Sequence, residues 1–335
     1  RISDRFAFSG GFFFDHQGGF FKNVARNNER VDKGNEYGGR IRAIYLPTDN
    51  TKLDFNINYE YLSQGAYPYQ YVGKSNGLNE GQYYMGQVAY NREGNYKRHL
   101  LNTGLNIEHQ ANCFVFNSVT GFQFVKDDMN MDQDYTPLDI FTLNQKQNSK
   151  TLSQEFVFKS KQGSRWEWTT GLSGFYQWLK TDAPVTFQPD GIKTIIEDHV
   201  NSVFIRLRQQ NERMPEMALD VTDNNFVIAG DFNTPTANVA LYHQSTFNDF
   251  LVKGLSLTLG ARMEYEKLWI DYNSAAHLNF DFLMPGMERI PQMTAMLEGL
   301  KGIGIDPGFE GKLKSDNWEF LPKAALKYNF NERNN

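Results

Sequence analysis

The sequence predicts an all-β protein that contributes about ten strands to an antiparallel transmembrane β-barrel. Three observations predict this class. Apolar and polar residues alternate over long stretches, short and long connections follow one another between these stretches, and tryptophans recur near both ends of one apolar face. Alternation indicates a strand with one apolar and one polar face, because successive side chains in a strand point to opposite sides.

The clearest strand is predicted in GLSLTLGARMEYEKLWIDY, residues 254–272. One face carries Leu255, Leu257, Leu259, Ala261, Met263 and Tyr265, and the other includes Arg262 and Glu264. Clear alternation recurs at 52–61, 166–178 and 318–330, and weaker alternation occurs near 5–15, 36–47, 97–109, 113–126, 150–161 and 236–248. Most of these segments run for about 11 to 16 residues, whereas strands in soluble proteins average about five or six.

The connections alternate between tight turns and long polar segments. Turns are predicted at 48–51, 110–112, 162–165 and 248–254, and long loops near 16–35, 65–96, 127–149, 180–235 and 272–316. Helical spacing of apolar residues predicts short helices at 191–214 and 287–300. Outer-membrane barrels have short turns on the periplasmic side and long loops outside. A soluble β-sandwich, whose apolar faces would pack together, is the alternative fold.

Aromatic residues on the strand 166–178 favour the membrane. Trp166, Trp168, Tyr176 and Trp178 share one face. Trp168 and Trp178 are ten residues apart, which corresponds to roughly 25 Å along the membrane normal for a strand tilted by about 40°. This equals the height of the apolar band between the two aromatic girdles of an outer-membrane barrel. We therefore expect the apolar face to contact outer-membrane lipid and the polar face to line the lumen.

Composition limits the other possibilities. The chain has 335 residues and a net charge of −5, so a nucleic-acid partner is not expected. It contains no run of about 18 apolar residues that would predict a transmembrane helix. Its single cysteine, Cys113, allows no intrachain disulfide. Because the chain starts at RISDRF and ends at NERNN, we interpret residues 1–335 as part of one barrel domain of a longer protein.

Three passages carry a resemblance to a known family. They are TLSQEFVFKS with RWEWTTGLSGFYQW, then LSLTLGARMEYEK, and then NWEFLPKAALKYNFNE with its Pro322-Lys323 pair. Together they resemble the strands of TonB-dependent outer-membrane receptors, in the siderophore-receptor-like branch. The resemblance implies a 22-stranded barrel closed by an N-terminal plug domain, import of a scarce ligand such as a ferric siderophore, and energy from the TonB complex. No plug is recognisable in this chain.

Two sets of residues are candidates for ligand or plug contact. The first is a group of loop tyrosines whose rings offer stacking area and hydroxyls: Tyr67, Tyr69, Tyr71, Tyr83 and Tyr84. These tyrosines either bind an aromatic or sugar-like ligand or only pack the loop. Tyr90 and Tyr96 are expected in the outer aromatic girdle of the barrel. The second set comprises charged residues that would face the lumen and pair with a plug or orient a ligand: Arg40, Arg42, Asp54, Glu60, Arg262 and Glu264.

Metal and catalytic motifs are absent. KDDMNMDQDYTPLD resembles the start of a calcium loop, but Gln133 replaces the turn glycine, so we interpret it as a solvated acidic loop. We expect no metal site, no cofactor and no enzymatic activity. The leading hypothesis is an energy-coupled importer in the outer membrane of a Gram-negative bacterium. A passive outer-membrane channel and a soluble glycan-binding β-protein are the alternatives.

Overall fold

The computed structural model describes residues 2–72 and 84–329 and confirms an all-β, barrel-like fold. Ten long strands form one antiparallel sheet in which each strand pairs with the next along the chain. They are β1 (Phe6–Gln17), β2 (Gly34–Thr48), β3 (Thr51–Gly65), β4 (Asn95–Gln110), β5 (Phe114–Asp132), β6 (Phe141–Ser160), β7 (Trp166–Asp182), β8 (Thr236–Phe247), β9 (Leu255–Ala275) and β10 (Gly308–Tyr328). The predicted number of strands is therefore confirmed.

The pairing register carries the apolar face from strand to strand. Leu172 lies opposite Leu241, Leu241 lies opposite Met263, and Met263 lies opposite Phe320. Directly opposite residues in an antiparallel pair point to the same side of the sheet. Leu241, Met263 and Phe320 are 58%, 51% and 65% exposed. The sheet thus has one continuous apolar face, and no other described part of the protein covers it there.

Short and long connections lie at opposite ends of the sheet. The short ones span 49–50, 111–113, 161–165 and 248–254, at what we call the turn end. The others span 18–33, 66–94, 133–140, 183–235 and 276–307, at the loop end. The segregation predicted from the sequence is therefore present.

One predicted loop, 127–149, is wrong. β5 continues to Asp132 and β6 begins at Phe141, so only residues 133–140 connect them. Beyond Val125 the two strands lose their apolar alternation, yet their backbones stay paired as far as Asp132 opposite Thr142. Backbone hydrogen bonds do not depend on side-chain polarity, so the strands extend past the apolar band. This also explains strands of up to 21 residues, longer than predicted.

The two longest loops contain small elements. Residues 183–235 hold a strand (Val185–Phe187), a helical turn (Pro189–Gly191), a π-helix (Ile192–Glu197), helix α1 (Asp198–Gln210) and strands Ala218–Val221, Phe226–Ile228 and Asp231–Asn233. Residues 276–307 hold strands Leu278–Leu283 and Ile303–Ile305, 3-10 turns Met287–Arg289 and Pro291–Met293, and helix α2 (Thr294–Glu298). In the first loop of the chain, Lys22–Asn23 pairs with Glu29–Arg30. Both predicted helical regions are present, and Pro291 interrupts the second.

A small sheet joins these two loops. Ala218–Val221 pairs with Leu278–Leu283, which pairs in turn with Ile303–Ile305. A buried cluster of Ile192, Phe226 and Leu278 lies beside this sheet. Within residues 2–72 and 84–329, no helix is long and apolar enough to cross a membrane.

Candidate functional site

The face opposite the apolar one carries all six charged residues predicted to line the lumen. Arg40 and Arg42 on β2 lie opposite Asn58 and Asn56 on β3, the strand that also carries Asp54 and Glu60. Arg262 and Glu264 stand on β9. The pairing register of the intervening strands places them on the same face of the sheet as the charged residues of β2 and β3. We call this surface the polar wall. The role of these residues in ligand or plug contact stays a prediction.

Arg42 and Asp54 form the most complete ion pair of the polar wall. The guanidinium donates from Nε to Oδ1 at 2.8 Å and from Nη2 to Oδ2 at 2.6 Å. Lys52 Nζ lies 3.4 Å from Asp54 Oδ2. Asp54 is 9% exposed, so its charge depends on these two cations rather than on water. The trio carries a net positive charge.

Two further carboxylates of the polar wall are neutralised by arginines. Arg98 on β4 donates to Glu60. On β9, Arg262 Nε donates to Glu264 Oε2 at 2.7 Å, and Asn238 Nδ2 donates to Oε1 at 2.6 Å. Arg98 was not among the residues predicted to face the lumen, although the segment 97–109 was predicted as a weakly alternating strand. Its even position along β4, shared with Leu100, places it on the inward face and was the available signal.

The side chain of Tyr242 lies on the polar wall beside Gly171. Tyr242 donates its hydroxyl to Glu155 Oε1 at 2.7 Å, and the Arg262 guanidinium lies 5.9 Å from the centre of its ring. The ring occupies the space beside Gly171, where a Cβ atom would lie 2.1 Å from the tyrosine Cζ. The lack of a side chain at Gly171 therefore permits the bond between Tyr242 and Glu155.

Arg40 differs from the other arginines of the polar wall. No hydrogen bond or ion pair joins it to any residue within 2–72 or 84–329, and its side chain is exposed. It lines a hollow of about 360 Å³ together with Phe13, Asn58, Glu60 and Asn102. This hollow offers an unneutralised cation beside two amides, a combination suited to an anionic group.

A larger cleft of about 660 Å³ lies at the loop end of the polar wall. Its inward-facing side chains stand directly opposite one another on successive strands: Asp127, Gln147, Thr181, Phe232 and Tyr272. Gln147 donates to Thr181 Oγ1 at 3.3 Å. Oδ1 of Asp127 is buried and has no hydrogen-bond partner in the part of the chain that the structure describes. The cleft thus presents hydrogen-bonding groups beside two aromatic rings.

The structure brings two of the predicted loop tyrosines together with two others. The ring centres of Tyr67 and Tyr69 are 5.7 Å apart, Tyr67 lies 5.7 Å from Tyr96, and Tyr69 lies 5.4 Å from Tyr135. Burial raises the pKa of the Tyr67 and Tyr135 hydroxyls. Tyr71 and Tyr84 are half-buried and make none of these ring contacts. Tyr83 lies outside the described residues.

The expected girdle positions of Tyr90 and Tyr96 differ from their positions in the structure. Tyr90 is 3% exposed and packs against Val31 and Val88, so it belongs to a core beneath the loops. Burial raises the pKa of its hydroxyl. Tyr96 stands on the polar wall, where it contacts Arg98 and Asp127. Neither residue is in an outward-facing girdle, because Tyr90 precedes the strand that begins at Asn95 and Tyr96 stands on the inward face of that strand.

Aromatic residues do occupy the apolar face at both ends. Trp166 and Trp168 stand near the turn end of β7, and Tyr176 and Trp178 stand toward its loop end. The rings of Tyr176 and Trp178 are 4.4 Å apart, and Trp269 extends this row onto β9. Whether these residues form membrane girdles stays a prediction.

The acidic residues Asp132 and Asp134, at and just after the end of β5, do not lie in the solvated loop expected from the sequence. Asp132 is 4% and Asp134 is 8% exposed. Asp132 Oδ2 accepts the backbone N–H groups of Asn91 and Arg92, at 3.1 and 3.2 Å. Asp134 Oδ1 accepts the hydroxyl and the N–H of Thr136, and its Oδ2 accepts the N–H of Ile140 at 3.3 Å. In place of water, the two carboxylates accept hydrogen bonds from the backbone N–H groups of residues 91–92 and of residues 136–140. The spacing of the acidic residues in the sequence did not predict this role.

Burial changes the titration of this carboxylate pair. Both groups lie beyond the apolar band, since the outward face of β5 becomes polar from Lys126 onward. Desolvation, with the adjacent Asp134 adding to it, raises the pKa of Asp132 to about 7. Burial also raises the pKa of Asp134. In contrast, the bidentate Arg92 guanidinium lowers the pKa of Asp139, which it holds at 2.6 and 2.8 Å. Among residues 2–72 and 84–329, no group of three or more His, Cys, Asp or Glu side chains could hold a metal ion.

Comparison with known proteins supports the fold alone. The chain is similar to a solved structure described as the ferric yersiniabactin uptake receptor FyuA from Yersinia pestis, with a TM-score of 0.62 and 13% sequence identity. The match covers 99% of this chain and 41% of that one, so the chain spans less than half of the receptor's length. No protein-family model and no curated protein matches the sequence. The likeness shows a barrel-like fold.

Proposed function

We propose that this chain is part of a TonB-dependent outer-membrane receptor of a Gram-negative bacterium that imports a ferric siderophore or another large scarce nutrient. The observation that carries the proposal is the ten-strand sheet with segregated turns and loops, which is similar over 99% of the chain to a ferric yersiniabactin uptake receptor. TonB would act through a plug region, as the resemblance in the sequence implies.

The first step is the location of the sheet in a membrane. The apolar face is continuous and carries half-exposed Leu241, Met263 and Phe320 at its centre. Burying apolar side chains of this size from water stabilises a protein by about 1.5–3 kcal/mol each. A surface of this extent on a soluble protein would cause association. Lipid contact, with aromatic rings at both edges, is the arrangement that outer-membrane barrels use.

The second step is recognition of a polar ligand inside the barrel. Most charges of the polar wall neutralise one another, which leaves Arg40 as an available cation. Farther along the polar wall, the 660 Å³ cleft offers Asp127, Gln147 and Thr181 beside the rings of Phe232 and Tyr272. Pockets of this size bind small molecules of several hundred daltons when polar groups fix the ligand's orientation. We propose that an anionic chelate passes this cleft and contacts Arg40.

The proposal is tested in cells that carry the gene for this chain. Deleting the gene should abolish uptake of one ferric siderophore from a panel of radiolabelled complexes, and restoring the gene should restore it. Uptake should stop when a protonophore collapses the inner-membrane gradient. Uptake that persists under the protonophore would instead support a passive channel. Unchanged uptake of every member of the panel, together with binding of the purified protein to glycans without detergent, would support the soluble alternative.

A further inference from the structure

Lysines recur on the outward face of the sheet near the loop end of the apolar band. On the adjacent strands β5, β6 and β7, the first outward residue beyond the last large apolar one is a lysine. The pairs are Phe124 and Lys126, Leu152 and Lys150, and Trp178 and Lys180. On β9, Lys267 stands on the same face between Tyr265 and Trp269. We call Lys126, Lys150, Lys180 and Lys267 the lysine row.

The register places the lysine row along the edge of the aromatic row. Lys150 lies opposite Trp178. Lys126 on β5 and Lys180 on β7 both lie opposite Asn148, which stands on β6 between these two strands. Lys150 therefore stands one outward position nearer the turn end than Lys126 and Lys180. Lys267 lies opposite Ala237, which lies opposite Tyr176, so it stands two outward positions nearer the turn end than Lys180.

The amines of the lysine row are available for a partner. Lys126, Lys150 and Lys180 are exposed, and none of them makes a hydrogen bond or an ion pair with residues 2–72 or 84–329. The Lys267 amine lies 5.1 Å from the centre of the Trp269 ring. The outward-facing carboxylates of Asp128 and Asp182 stand one outward position farther from the apolar band. A lysine stem can lie along the aromatic rings while its amine reaches the polar boundary of a membrane.

The turn end of the same face has a different composition. On β5 to β9, the two outward residues nearest the turns include no lysine or arginine: Phe114, Phe116, Phe158, Ser160, Trp166, Trp168, Ser245, Phe247, Leu255 and Leu257. A row of unpaired cations at one edge of an apolar band, with none at the other, indicates that the two bounding surfaces differ in charge.

We propose that the lysine row binds the phosphate groups of lipids in the membrane leaflet at the loop end. This inference rests on the membrane location in the proposed function and adds a specific partner, a phosphorylated lipid headgroup. Each amine supplies a point charge and up to three donors for phosphate oxygens, and the aromatic rings below contact the acyl chains. A phosphorylated lipid would also bridge neighbouring strands, because Lys126, Lys150 and Lys180 stand on the adjacent strands β5, β6 and β7.

The test uses the full chain refolded in detergent and titrated with diphosphoryl lipid A, with its dephosphorylated form as the comparison lipid. Bound lipids are counted by native mass spectrometry. We expect the phosphorylated lipid to bind about tenfold more tightly or better, since each lysine near an anionic surface contributes about 1 kcal/mol. The variant K126Q/K150Q/K180Q/K267Q should lose this preference. The matched control K159Q/K253Q/K301Q/K327Q, with the same charge change elsewhere, should retain it.

Two results would overturn the inference: equal binding of both lipids to the unaltered chain, or an unchanged preference in the variant of the lysine row. Quenching of tryptophan fluorescence by lipids with brominated acyl chains, in the same samples, separates this failure from failure of the proposed function. Strong quenching without a preference for the phosphorylated lipid contradicts only phosphate binding by the lysine row. Absent quenching contradicts the membrane location itself.

Discussion

Arg42 and Asp54 stand diagonally on two neighbouring strands and are joined by two hydrogen bonds, Nε to Oδ1 at 2.8 Å and Nη2 to Oδ2 at 2.6 Å. The planar guanidinium matches both carboxylate oxygens at once, which fixes the relative position of β2 and β3 as well as the charge. Lys52 adds a third contact to the same carboxylate. The pair is therefore part of the structure of the polar wall as well as part of its electrostatic potential.

Removing the Asp54 charge should destabilise the sheet. In D54N, the amide can accept from Arg42 on one side only, and its NH₂ group is directed at a second donor, so one hydrogen bond is lost and two cations remain without a counter-charge. We expect a lower urea midpoint for unfolding in detergent, and a smaller decrease for R42K. D316N, which removes an exposed carboxylate on β10 that makes no hydrogen bond or ion pair with residues 2–72 or 84–329, should unfold like the unaltered chain. An unchanged midpoint in D54N would contradict a structural role for the pair.

Filling the space at Gly171 should displace Tyr242. A methyl group there would overlap the tyrosine ring, so G171A must shift the ring and break its hydrogen bond to Glu155. We expect a loss of about 1–3 kcal/mol in the free energy of unfolding. In a Y242F background, where that hydrogen bond is already missing, the cost of G171A should be smaller. G10A is the control, because its added Cβ would be 3.8 Å from the nearest atom.

The contact between the 84–94 segment and the end of β5 should weaken as pH rises. The pKa of Asp132, raised to about 7, lies above its ordinary value of 3.8, so the folded protein binds this proton more tightly than the unfolded chain. The stability that the proton contributes is complete below the ordinary pKa and is lost as pH rises through about 7. Hydrogen-exchange protection of the Asn91 and Arg92 amides, which donate to Asp132, should therefore decrease between about pH 5 and about pH 8.

The variant D132N separates this effect from general alkaline loosening. An asparagine can accept the two backbone N–H groups through its oxygen and donate its NH₂ to Asp134 without carrying a charge. Protection at Asn91 and Arg92 should then be nearly independent of pH. D128N, which removes a carboxylate from the same strand, should keep the pH dependence. Equal pH dependence in D132N and in the unaltered chain would exclude Asp132 as its source.

Replacing the unpaired arginine of the polar wall should weaken uptake of an anionic ligand. R40Q removes a cation that makes no ion pair with another described residue, so we expect little change in stability. The affinity for the transported ferric complex should decrease by about five- to tenfold, as for loss of one charge-assisted hydrogen bond. K159Q, which removes a cation from the turn end of the same face, is the control. Equal uptake affinities in R40Q and K159Q would contradict a role for Arg40 in ligand contact.

Much of the fold follows from patterns in the sequence. Alternation at 254–272 predicted both faces of β9, and the structure shows the same assignment through its register with β8 and β10. The periodicity also indicated the face of Arg42 and Asp54. It did not indicate which charges pair, because Arg98 and Glu60 stand on different strands and only the register brings them together.

The sequence was least informative where chain segments leave the apolar band. There the strands are polar on both faces, so β5 was predicted to end too early and β6 to begin too late. Asp132 and Asp134 have the composition of a solvated loop, yet they are buried because backbone N–H groups from the 84–94 segment and from residues 136–141 need acceptors. Such pairing depends on long-range contacts, about which local composition carries no information.

The central claim is that the apolar face of the sheet contacts lipid, and the tryptophans test it most directly. All five, Trp166, Trp168, Trp178, Trp269 and Trp318, stand on that face. With the chain refolded into vesicles, lipids brominated on their acyl chains should strongly quench the fluorescence, and aqueous iodide should quench it weakly. Strong quenching by iodide without quenching by brominated lipid would show that the face is in water or buried in protein, and would contradict the account.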